Sequence, residues 1–327
     1  LSYNLPVNRN PLAAIDIGTN TFRLLVAEVH HDPRKNSFSF REIHSGRIIT
    51  RLGEGIHDRG RLSEDAVNRS LAALKGFSDT ISRLNVYRTS AVATSALREA
   101  ADSAEFIKKA RQETGLDIRI VSGEEEAGIT AAGMLVDMAV PASALLADIG
   151  GGSTELIFAR NGKPVTVCSL NLGVVYLAGR HMREDPPAGS DLTRMEEDIS
   201  RRVRRAVAHF SGLCGPETVF IGTAGTITTL SAVTQNLATF RHHRIHNSRL
   251  RLDQVKGIYS AISVMPARER AGYIGLEPAR LDIIVPGALI LLKLMDAFGF
   301  DEITVSNYGL REGILIELYN RLNLNVA

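Results

Sequence analysis

The chain has 327 residues, a formal net charge of +2 at pH 7, 44% hydrophobic and 23% charged residues, a globular balance with enough length for about two domains. That balance gives no reason to expect a nucleic-acid or membrane partner, and the most apolar stretch, residues 283–298, is interrupted by Pro286, Gly287, Lys293 and Asp296. Cys168 and Cys214 are too few for a disulfide framework, and residues 1–11 are polar and proline-containing rather than leader-like; the expected location is a reducing cytoplasm, and the absent Met suggests a trimmed or incomplete start.

In chain order the first predicted element is a hairpin, and the same hairpin recurs 132 residues later. Ala14-Ile15-Asp16-Ile17-Gly18-Thr19-Asn20-Thr21-Phe22-Arg23 aligns without a gap on Leu146-Ala147-Asp148-Ile149-Gly150-Gly151-Gly152-Ser153-Thr154-Glu155, and apolar runs follow both. Each copy reads as two strands around an anion-binding tip. Glycine lets backbone N–H groups approach phosphate oxygens, hydroxyls add donors, and the Asp supplies a hard oxygen for Mg²⁺. The repetition points to an internal duplication.

After the first hairpin come a third strand over residues 37–43 and a glycine-rich loop, Arg51-Leu52-Gly53-Glu54-Gly55. Ser63 opens a helix with Glu64 and Asp65 in its first turn and Val67, Leu71, Leu74 and Phe77 on its apolar face. A strand over 86–93 runs into Thr94-Ser95-Ala96-Leu97-Arg98, a helix capped by Asp102 or Ser103 runs through Arg111, and a strand over 118–121 leads to Ser122-Gly123-Glu124-Glu125-Glu126-Ala127 at a helix start. The second half repeats this plan: hairpin, a long helix over 192–210, a strand over 218–221, the loop Gly222-Thr223-Ala224-Gly225-Thr226, a strand at 304–306 and a helix over 310–322.

Arg outnumbers Lys 31 to 7, a bias toward the guanidinium fork that grips phosphate bidentately and that genome composition also produces. The run Arg201-Arg202-Val203-Arg204-Arg205 reads as a solvated helix face. In Arg241-His242-His243-Arg244-Ile245-His246 the pair His242 and His246 lacks a third ligand for zinc. Arg241, Arg244, Arg249 and Arg251 are candidates for a track along a polyanion. Three adjacent acids at a helix start, Glu124, Glu125 and Glu126, splay about 100° apart, so one or two at most face a given cleft. Arg98 follows a strand end, where residues reach ligands in open α/β sheets.

Together these stretches resemble the exopolyphosphatase/guanosine pentaphosphate phosphatase (Ppx/GppA) family, within the superfamily of actin, hexokinase and heat-shock-protein ATPase domains. The matching residues are 14–23, 51–55, 93–100, 122–127, 148–156, 222–226, His246, Pro286-Gly287-Ala288 and 309–313, in family order along almost the whole chain. The resemblance implies an α/β fold of two ribonuclease-H-like (actin-like ATPase) domains from an internal duplication, with a cleft between them. The domains expected are residues 1–125 plus 308–327, the last helix packing back on the first domain, and residues 126–307. Ending there, the chain resembles the short family members without a helical C-terminal extension. The implied activity is release of terminal phosphate from inorganic polyphosphate or, alternatively, from pppGpp to give ppGpp. The family's catalytic base falls on Glu126 and its Ala-Leu-Arg arginine on Arg98. The resemblance puts the family's metal ligands, for Mg²⁺ or another divalent cation, on Asp148 and Glu155. Asp16, Gly18, Thr19, Asn20, Gly150, Gly151, Gly152, Ser153, Gly222, Thr223, Gly225 and Thr226 line the phosphates. The resemblance leaves room for a homodimer. Tyr176 stands where relatives often have Arg, and Asn247 where Gly commonly follows the family's His.

Hydrolysis of an anhydride asks mainly for positioning, charge neutralisation and an oriented water. Two other classes share the superfamily. A kinase would need an acceptor motif, which the sequence does not display, and a scaffold would need polymerisation or peptide-binding segments.

Overall fold

A computed structural model describes residues 10–34 and 37–324; the expectation for the N-terminal segment falls, up to residue 9, outside them. The chain divides into two compact units. The first takes the described residues up to Ser122, Leu135–Ala139 and those from Leu310 on, and the second takes Gly123–Met134 and Val140–Gly309.

In the first unit β1 (Leu12–Ile17), β2 (Thr21–Asp32), β3 (Ser37–Ile49), β4 (Arg88–Ala93) and β5 (Ile118–Ile120) form a sheet in the order β3-β2-β1-β4-β5. β1 is fully buried, and its hairpin partner β2 is antiparallel while β4 and β5 follow in parallel. The second unit uses β6 (Ser143–Ile149), β7 (Thr154–Arg160), β8 (Lys163–Leu170), β9 (Val219–Thr223), β10 (Arg249–Arg251) and β11 (Glu302–Val305) in the order β10-β11-β9-β6-β7-β8. Without β10, this order repeats that of the first sheet. Both units are therefore α/β layers of one plan, as the repeated motif predicts.

The duplication extends to backbone detail. Asp16 lies opposite Arg23 and Asp148 opposite Glu155, so the aligned residues keep one register. The N–H of Gly18 donates to the Thr21 carbonyl at 3.3 Å and that of Gly150 to the Ser153 carbonyl at 2.9 Å. A β-carbon on either glycine would sit 2.9 Å and 3.1 Å from those same oxygens, which is why both positions are glycine. Register shifts fall between Val26 and Ala27 and between Phe158 and Ala159, again aligned positions.

Each sheet carries its own core. Leu24, Leu71, Leu74 and Phe106 are among the buried side chains of the first, and Leu145, Phe158, Ile199 and Leu291 of the second. Each such burial is worth roughly 1.5–3 kcal/mol, which holds strand ends and turns in place. The helix Glu64–Arg83 starts where the sequence indicates, with Ser63 Oγ accepting the Ala66 N–H at 3.3 Å. Three expectations change. The third strand runs on to Ile49, because the first hairpin is longer than its apolar run suggests. Asp102 sits at the N-cap of Ser103–Thr114, but its carboxylate accepts the Leu62 N–H at 3.1 Å instead of capping. Residues 222–226 are a strand end joined directly to the helix Ala224–Thr234, not a loop.

Candidate active site

Both turns are braced from behind by the segment after the third strand of their own unit. In the first, the Thr19 carbonyl accepts the Gly53 N–H at 2.9 Å and the Asn20 carbonyl accepts those of Thr50 and Arg51 at 3.1 Å and 3.0 Å. In the second, the Gly150 and Gly151 carbonyls accept the N–H groups of Val174 and Val175 at 3.1 Å and 2.9 Å. In a trans peptide the N–H points opposite to its carbonyl, so the amides of Asn20 and Thr21, and of Gly151 and Gly152, point away from their braces. Those amides are donors suited to phosphate oxygens. Gly53 and Gly173 make the close approach possible: a β-carbon would lie 2.2 Å from Thr19 Cγ2 and 2.3 Å from the Gly151 oxygen. A fully buried leucine, Leu52 or Leu172, precedes each glycine.

Across the strands behind the turns the two units diverge. Asp16, Arg23 and Arg47 form one cross-strand row, and Asp148, Glu155 and Ser169 form the aligned row in the second unit. Residues directly opposite in an antiparallel ladder share a face, so each row presents its side chains together. In the first row Arg23 Nη1 bonds buried Asp16 at 3.0 Å. In the second, half-buried Asp148 faces Glu155, which is 1% exposed and accepts a bond from Ser169 Oγ at 2.9 Å. Two hard oxygen donors on one face fit a divalent cation. Among the described residues no group of three or more His, Cys, Asp or Glu could hold a metal. A two-carboxylate site suits Mg²⁺, which keeps several waters and shares its remaining positions with phosphate.

The helix Gly123–Met134 packs on β7 and β8 and so belongs to the second unit, although it follows β5. Of the three acids at its start, Glu124 and Glu125 are exposed, while Glu126 is 7% exposed. The helical splay thus turns a single carboxylate inward. The helix Leu310–Leu324, which follows β11, packs instead on the first unit's β1, β2 and β4. Its buried Glu312 stands three residues after Gly309, as Glu126 stands three after Gly123. Arg98 lies in the short helix Ser95–Glu99 of the first unit, half-buried, with Nη1 donating to the Val121 carbonyl at 3.1 Å.

The third predicted phosphate segment serves several ends. Thr223 pairs with Asp148 across parallel strands and donates its hydroxyl to the Tyr308 carbonyl at 2.8 Å. Gly222 is closed in by Ile227 and Ile303, Gly225 by the Arg280 guanidinium, and Thr226 packs on Gly287, so these small residues permit close packing. Ala224 adopts φ 71, an uncommon conformation for alanine, at the start of the helix.

Of the arginines expected to form a track along a polyanion, Arg249 pairs with Glu302, Arg251 with Asp253, and Arg244 Nε reaches Gln235 Oε1 at 3.5 Å. His242, His246 and Tyr308 cluster, with ring centroids 4.8–5.6 Å apart. The Asn307 N–H donates to His246 Nδ1 at 3.3 Å. Asn247 has φ 62, a conformation that Asn and Gly tolerate, which accounts for its place beside the histidine. Tyr176 carries the Arg202 guanidinium over its ring at 5.4 Å, and Arg202 also bonds Asp198, which faces His181 at 3.5 Å. Burial pushes the His181 imidazole below its ordinary value despite Asp198. For Asp198, burial works upward but is outweighed by Arg202, His181 and Arg201, which hold it below the usual carboxylate range. Cys168 and Cys214 are free thiols, both pushed up by burial and Cys168 also by nearby Glu155.

Sequence reasoning passed over Arg47, Ser169, Gly173 and Gly123 as site-supporting residues. The only signal for the glycine is the repeated Leu-Gly at 52–53 and 172–173.

Comparison with known proteins gives one consistent family. The sequence pattern described as the Ppx/GppA phosphatase family matches residues 31–322. Exopolyphosphatase 2 of Mycobacterium tuberculosis is 28% identical, covering 94% of this chain and 98% of its own. A bifunctional 3-dehydroquinate synthase/phosphatase of Fusobacterium nucleatum is 32% identical over 93% of this chain and 46% of its own. The crystal structure of the Aquifex aeolicus Ppx/GppA family member superposes with a TM-score of 0.80 at 29% identity, covering 96% of this chain and 99% of that one.

Proposed function

The chain belongs to the Ppx/GppA phosphatase family, with its actin-like fold, and from that premise we propose that it hydrolyses phosphoanhydrides, releasing terminal phosphate from inorganic polyphosphate. The observation that carries this reading is the second hairpin. Two carboxylates, Asp148 and Glu155, share one face behind a turn whose Gly151 and Gly152 amides are braced outward, and inward-turned Glu126 lies in the same unit. Asp148 and Glu155 would hold Mg²⁺ or another divalent cation. Such a cation supplies neutralisation of charge on phosphate oxygens. The turn amides donate to the same class of oxygen as charge develops, and Glu126 orients a water and takes its proton. The good leaving group leaves little else for the protein to do.

Polyphosphate is preferred over pppGpp because the M. tuberculosis relative is named an exopolyphosphatase. The test is phosphate release from long-chain polyphosphate, from pppGpp, and from ATP with sugars or glycerol as acceptors. Polyphosphate shortened from its ends fastest is the expected result. Faster release from pppGpp would move the assignment to the alternative substrate, and phosphorylated acceptor would replace hydrolysis by a kinase.

A further inference from the structure

We propose that Ser169 is a positioning residue that sets both the metal-side carboxylate Glu155 and the helix bearing Glu126; this rests on the reading of the second hairpin as a cation site. Ser169 is the third member of the Asp148–Glu155 row and donates its hydroxyl to Glu155 Oε1 at 2.9 Å. A hydroxyl donated to a carboxylate favours the ionised form and restrains the carboxylate plane, the way groups behind a metal ligand orient it. The same serine is the surface on which the helix start rests. A β-carbon at Gly123 would come within 2.6 Å of Ser169 Cβ and 2.7 Å of its Oγ, so this close approach requires glycine. Gly123 lies three residues before Glu126, under one helical turn. One hydroxyl therefore meets a ligand-bearing strand on one side and the base-bearing helix on the other. In the first unit the aligned residue is Arg47, so the role belongs to the second hairpin alone.

The test is Mn²⁺ binding followed by electron paramagnetic resonance in the presence of inorganic phosphate, alongside the Mg²⁺ dependence of phosphate release. Groups behind metal ligands are typically worth 10–100-fold in affinity or activity. Ser169→Ala is expected to weaken Mn²⁺ binding about tenfold and raise the Mg²⁺ needed for half-maximal rate in parallel, with a smaller fall in kcat at saturating metal. Ser169→Thr keeps the hydroxyl and should recover most of the affinity, and Gly123→Ala should reproduce the loss by displacing it. Unchanged Mn²⁺ affinity in Ser169→Ala, or equal loss in the Ala and Thr variants, overturns the assignment while leaving the cation site standing. Wild-type protein that binds no Mn²⁺ overturns both.

Discussion

The two hairpins share register, bulge, turn hydrogen bond and glycine brace, yet the rows behind their turns carry opposite charge: one acid with two arginines in the first, two acids with a serine in the second. A single aligned pair, Arg23 and Glu155, makes most of that difference. Asp16 is answered within its own hairpin by Arg23, whereas Asp148 faces a second carboxylate. Two carboxylates side by side repel unless a cation joins them, while an Asp with two guanidinia is a surface for anions. The duplication thus kept the turn backbone and divided the charges, leaving one row net positive and the other net negative.

The largest expected effect lies with the buried acid of the second unit. Glu126→Gln keeps volume and removes the base, so turnover should fall ~10²–10⁴-fold with Tm near wild type. Activity within about threefold of wild type, measured as phosphate release, would break the assignment. Glu125, exposed on the same helix, is the control, and its Gln variant should be milder.

Next come the rows themselves. Asp148→Asn should raise the Mg²⁺ needed for half-maximal rate by about tenfold or more, because a neutral amide is a poor ligand for a hard cation. Glu155→Arg, which rewrites the second row toward the first, should abolish Mg²⁺ dependence together with activity. Asp16→Asn should shift the Mg²⁺ titration less than about twofold, since that carboxylate is already paired. Equal shifts for Asp16 and Asp148 would show that the turns share the ion and would erase the contrast.

The smallest effect concerns the brace. The helix Val174–His181 supplies the amides behind the second turn and ends in His181, which burial holds neutral below the ordinary value of 6.5. As pH falls below that value the unfolded chain takes up a proton that folded His181 resists, so stability is lost toward acid. Asp198 contributes in the same direction at lower pH, its stabilisation fading as pH drops through its depressed value. His181→Gln should therefore lose roughly 1–2 °C less Tm than wild type between about pH 7.5 and 5.5. A thermal melt series in matched buffers reads this directly, and parallel curves would remove His181 from the account.

Legibility in the sequence tracked distance along the chain. The Asp-Ile-Gly repeat was visible because both copies are short and ungapped. The second repeat, Leu52-Gly53 against Leu172-Gly173, was hidden because β2 and β3 are longer than β7 and β8, so no fixed spacing relates the copies. The splay of Glu124 to Glu126 limits how many acids can turn inward and the family resemblance points to Glu126, while packing on β7 and β8 is what buries that carboxylate. Residues 222–226 read as a loop because two glycines three residues apart punctuate the segment, and the fold uses their small size to let a strand, a helix and the Arg280 side chain meet closely.

By itself the sequence determined the α/β plan, the duplication and the place of both turns, since these follow from hydrophobic period and from turn residues that act within a few positions of one another. Tertiary structure alone decided which side chains stand behind the turns. Arg47 joins Asp16, and Ser169 joins Asp148 and Gly123, through strand registers set by hairpin length and a bulge, and a one-residue change in either would send those side chains to the opposite face of the sheet.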